Sequence, residues 1–143
     1  MMTVALDRVY TVTDYYDGPR GGVADYGGQP HYYECQFDES KVDWSDIFLL
    51  KPLDAETFQL ALEDWDIWER WNAAREEGKV GLDTHPALPA ERERHDEISV
   101  ILKDRLKVDP GNYIRAYAHF EVVAPKRKSQ SIAHLAVRWT LLP

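Results

Sequence analysis

Apolar residues recur along this chain with two different periods, and the changes between them divide it into thirds. In residues 113–123 the even positions are apolar (Ile114, Ala116, Ala118, Phe120, Val122), and the odd ones carry Tyr113, Arg115, Tyr117, His119 and Glu121. In residues 132–142 the apolar set is Ala133, Leu135, Val137, Trp139 and Leu141, opposed by His134, Arg138 and Thr140. Such alternation predicts two half-buried strands joined by a turn over 125–131. Keeping the two apolar faces together predicts pairs whose numbers sum to about 255, with Tyr117 opposite Arg138.

The first third also reads as strands. Residues 8–16 (RVYTVTDYY) are β-branched and aromatic, and Asp17-Gly18-Pro19-Arg20-Gly21-Gly22 breaks the run. Residues 23–26 and 31–37 flank Gly27-Gly28, a pair suited to the positive φ angles of a tight hairpin turn. Tyr33, Cys35 and Phe37 share one face of the second of these runs. Residues 47–50 add a short buried strand.

In the middle third the period becomes helical. Asp54 is an N-cap and Gly78 a stop for a helix in which Phe58, Ala61, Leu62, Trp65 and Trp68 line one face. Leu60, Ile67, Trp71 and Ala74 form a second apolar strip, so the helix requires cover on more than one side. After a loop containing THPALP, Pro89 opens a second helix reaching about residue 108, with Ile98, Ile101, Leu102 and Arg105 inward. The expected fold is one α+β domain over 1–143. It is an antiparallel sheet of about five or six strands, in the order ββ(β)-αα-ββ, with both helices on one face.

Composition narrows the setting. A chain 44% apolar with five tryptophans can bury a core without staples. The single cysteine, Cys35, offers no internal disulfide, and its alternation with Tyr33 and Phe37 marks it as a core thiol rather than a nucleophile. Val4, Ala5 and Leu6 are followed at once by Asp7 and Arg8, which leaves no export signal, and no run spans a membrane. A cytoplasmic location is expected. Net charge is −8, with eight acids against two bases in 54–78 and one acid against five bases in 112–143. An acidic body disfavours nucleic acid as a partner.

No motif with a mechanism is present. The five histidines fall at no metal-ligand spacing, and one cysteine cannot make a zinc finger, so neither metal nor cofactor is expected. The glycines of 18–28 read as turn residues, having neither phosphate-loop spacing nor a following helix. Two surfaces remain. On the tryptophan helix, Asp64 and Glu69 sit among indoles and could work as acids with His85 or His95, while Trp68 and Trp71 could meet a ligand or partner. On the last two strands, Tyr113, Arg115, Tyr117, His119, His134 and Arg138 form a basic-aromatic strip able to hold an anion. The leading expectation is a non-catalytic interaction or regulatory module that docks a protein partner or self-associates through the aromatic helix, at Trp71 above all. A small hydrolase or ligand-binding protein is the alternative, marked by a closed pocket where Asp64 or Glu69 meets a histidine. An acidic nucleic-acid mimic comes third.

Overall fold

The computed structural model describes residues 6–128 and 130–143. Val4 and Ala5, used above in judging an export signal, and Ser129 in the last turn lie outside the described residues. Six strands are formed: β1 (Asp7–Tyr15), β2 (Pro19–Tyr26), β3 (Gln29–Asp38), β4 (Asp43–Pro52), β5 (Ile114–Ala124) and β6 (His134–Leu141). Between β4 and β5 the chain makes α1 (Ala55–Glu76) and α2 (Arg92–Lys103), with 3-10 turns at Leu82–Thr84 and Pro89–Glu91.

Each strand pairs antiparallel with its neighbour in sequence, and β6 returns to β1, so the sheet closes into a barrel. This corrects the open sheet with helices on one face. Four strands precede the helices, and the ring is sealed by Asp7↔Val137 and Arg8↔Ala136. Alternation could not reveal the closure, because an open sheet and a barrel both ask for one apolar face per strand. The irregular ladder between β1 and β2, with register shifts after Val9, Val12 and Asp14, supplies curvature.

The interior is solid. Tyr33, Phe48, Phe120 and Trp139 meet with ring centroids 5.7–6.1 Å apart, and Ala24, Cys35, Leu50, Ala116 and Val137 fill the space around them. The Tyr33 hydroxyl donates to the Thr11 carbonyl oxygen at 2.9 Å, so its one polar atom is satisfied and the ring can stay at the centre. Cys35 is buried, and burial pushes its thiol pKa up. Phe37, expected beside it, is exposed past a bulge in the ladder.

Two local readings change. Gly21 and Gly22 lie within β2 rather than in a turn. A Cβ on Gly22 would stand 2.2 Å from the Thr11 carbonyl oxygen and 2.9 Å from the Tyr33 hydroxyl oxygen. Glycine is needed there for close approach. Gly27 and Gly28, with φ of +60° and +80°, do form the two-residue hairpin turn. In the last hairpin Tyr117 faces Thr140 and His119 faces Arg138. This is two residues from the expected pairing, a shift that leaves every side chain on its own face.

Asp54 caps α1 by accepting from the Thr57 backbone N–H at 2.7 Å, and Gly78 follows its end with φ +74°. The two apolar strips divide the work. Ile67 packs with Ala87, Ile98 and Leu102, with Leu60 and Leu106 alongside, so this strip faces α2 and the loop before it. Phe58, on the other strip, meets Tyr10 of β1 edge-on at 4.9 Å. α2 is shorter than expected, and Arg105 lies beyond its end, bonded to Glu56 at 2.9 Å.

Replacing Gly22 with alanine is expected to destabilise the fold by about 2–4 kcal/mol, because the methyl group meets backbone rather than a movable side chain. Denaturant melts of the variant would measure this, and a change below 1 kcal/mol would contradict the close-approach account.

Candidate functional site

A solid barrel sends any ligand site to the outside, where the helix pair meets the β1–β2 wall. Val23 adjoins inward-facing Ala24 and must therefore point outward, yet it is buried, because the helices cover it. The cover is incomplete and leaves a cavity of about 350 Å³. From α1 it takes Ala61, Asp64, Trp65 and Trp68, whose spacing of three, one and three places them on one helical face. Thr11, Thr13 and Val23 belong to the barrel wall, His95 and Leu102 to α2, and His85 and Pro86 to the intervening loop.

Asp64 and His95 are a hydrogen-bonded pair. The imidazole Nδ1 stands 2.7 Å from Asp64 Oδ1, so the carboxylate, which only accepts, takes a hydrogen carried on Nδ1. Ser99 Oγ is 3.2 Å from the His95 Nε2, one helical turn along α2. Both members of the pair are partly exposed at the cavity, with side-chain exposures of 17% for His95 and 27% for Asp64. No described residue donates to Asp64 Oδ2.

The frame around the pair is held by named contacts. Arg94, beside His95, bonds Glu63 of α1 through two nitrogens, and Arg70 of α1 does the same with Glu91 ahead of α2. Hydrogen bonds from those guanidinium groups hold the Glu63 and Glu91 carboxyls below their ordinary pKa. Trp71 is 3% exposed, and its indole N–H donates at 2.8 Å to Thr84 Oγ1, which donates to the Gly81 carbonyl. His85 stands edge-on to the same indole at 4.7 Å. Trp71 therefore fixes the 81–86 loop and, with it, the histidine at the cavity mouth. It is not a surface anchor, and Ala74 beside it is half-buried.

The other expected residues separate. Glu69 turns from the cavity and accepts from the Ser131 backbone N–H and hydroxyl at 2.8 and 2.7 Å. With His134 it lines a second, wider groove of about 780 Å³ between α1, the start of β1 and residues 130–135. Tyr117, His119 and Arg138 share the outer barrel face and are exposed, but His119 stands 3.2 Å from Glu121, which offsets the positive character of the strip. His134 is engaged with Gln130 at 2.9 Å.

Sequence reasoning missed Thr11, Thr13, Ser99 and Thr84. The i, i+4 spacing of His95 and Ser99 was a usable signal. The threonines had none, because their place depends on how the helices lie across the barrel. No helix among the described residues is long and apolar enough to cross a membrane. Comparison of the chain with protein-family models, curated proteins and solved structures finds no match.

Trp71→Ala is expected to cost about 3–5 kcal/mol of folding free energy, as for other buried aromatic truncations, and to free the His85 loop. Denaturant melts and amide exchange over 81–86 check both. The two glutamates supply a pH dependence. A carboxyl whose folded pKa lies below its ordinary value of 4.5 adds stability that is present above that value. The stability is lost as pH falls through the lower folded value. The α1–α2 contact should weaken on acidification below about pH 4.5, and Glu63→Gln should flatten the thermal-stability curve over that range.

Proposed function

We propose that this chain is a small-molecule-binding protein whose ligand lies between the tryptophan face of α1 and the β1–β2 wall, with its polar end at Asp64 and His95. The observation that carries this reading is the convergence of Asp64, His95 and His85, from three separate segments, on a concave and otherwise mostly apolar cavity. Small-molecule sites characteristically combine an apolar lining with a few convergent polar groups. The volume of about 350 Å³ suits a small ring system with a short arm.

One observation favours a second reading, as a proton-transfer enzyme. Asp64, His95 and Ser99 are linked in the order used by hydrolytic triads. Against a serine nucleophile, Ser99 is not among the cavity residues and sits within α2. Backbone N–H groups inside a helix are already bonded and cannot serve as an oxyanion hole. Binding, with the imidazole oriented by Asp64, is thus the better-supported role. Support for an interaction module is reduced, because it rested on an exposed Trp71.

Small aromatic compounds should change the fluorescence of Trp65 and Trp68 and raise the melting temperature of the protein. Ala61→Phe, which fills the cavity from the α1 side, should abolish both responses while the variant still melts cooperatively. Undiminished binding in a folded Ala61→Phe protein would remove the cavity as the site.

A further inference from the structure

We infer that the ligand taken by this cavity is an organic cation, an amine carried on a small apolar or aromatic body. The inference rests on the binding reading above and names the charge of the ligand. Three features point the same way. Asp64 spends one carboxylate oxygen on His95 and has the other, Oδ2, without a donor among the described residues. An ammonium group supplies donors for that acceptor, and a charge-assisted bond at a partly enclosed carboxylate is stronger than a neutral one. Beside it stand two indoles, Trp65 and Trp68, with centroids 5.1 Å apart and planes 30° from parallel. Both line the cavity, and indole is the best aromatic partner for a cation.

The third feature is the surrounding field. Among the described residues, no lysine or arginine lines the cavity. The arginines nearest the lining residues in sequence are each paired with carboxylates: Arg94 with Glu63 and Glu97, Arg105 with Glu56, and Arg92, which also donates to the His85 carbonyl, with Asp96. The chain as a whole carries a net charge of −8. A field of this sign draws cations and repels anions during approach. The competing ligand is an anion held by His85 and His95. It would have to displace His95 from Asp64 or sit beside the negative carboxylate, and either costs binding energy.

The test is a series of one shape and three charges, 3-phenylpropylamine, 3-phenyl-1-propanol and 3-phenylpropionate, titrated into the full chain by calorimetry at neutral pH. The amine is expected to bind about tenfold tighter than the alcohol, the scale of one cation–π contact with a charge-assisted hydrogen bond, and the acid weakest of the three. Asp64→Asn should bring the amine-to-alcohol ratio close to one. Equal binding of all three, or tightest binding of the acid, overturns the cation inference and leaves the cavity reading in place. A ratio unchanged in folded Asp64→Asn overturns it too, since the charge would then be read elsewhere. If none of the three binds, the cavity reading itself fails, and this inference with it.

Discussion

Three aromatic rings packed edge to face on one another and tilted against Tyr33 set the terms for the rest of this protein. A six-stranded barrel has a narrow interior, and Tyr33, Phe48, Phe120 and Trp139 occupy it with small residues between them. The phenol at the centre needs a partner for its hydroxyl, and it finds one in the Thr11 carbonyl because Gly22 leaves the path open. β1 is irregular on both sides of Thr11. The same stretch then forms the wall on which the helices lie. A filled interior and a recruited wall are thus two results of one packing decision.

The helix pair follows from α1 having two apolar strips. One is satisfied by α2 and the 81–88 loop through Ile67, Ile98, Leu102 and Ala87. The other reaches the barrel through Phe58 and Tyr10, while the short side chain of Ala61 and the large indoles of Trp65 and Trp68 leave space farther along. Arginine–glutamate pairs at the rim hold the two helices together, though contacts this exposed contribute little stability individually. Their value lies in placing α2 so that His95 reaches Asp64.

Trp71 illustrates how a side chain changes meaning with its surroundings. On an isolated helix it belongs to a surplus strip and reads as a docking residue. In the folded chain a threonine hydroxyl and a histidine ring enclose it, and its indole orders the loop that completes the cavity. On the aromatic helix, Trp71 is thus enclosed within one chain, while Trp65 and Trp68 line the cavity.

Much of the local structure was legible from residues alone. Period-two runs marked β5 and β6 and their inward faces, Asp54 and Gly78 bounded α1, and Gly27-Gly28 marked the β2–β3 turn. Each of these depends on atoms within a few residues of one another or on a single water-excluding face. Closure of the barrel was not legible, because the seam at Asp7↔Val137 joins the two ends of the chain and no pattern within one strand encodes its partner. The register of the last hairpin escaped for a related reason, since a slip of two residues preserves every face. Asp64 and His95 were candidates by chemical type alone. Their 2.7 Å contact across 31 positions of sequence exists only because α1 and α2 pack side by side, and that packing is a property of the assembled tertiary structure.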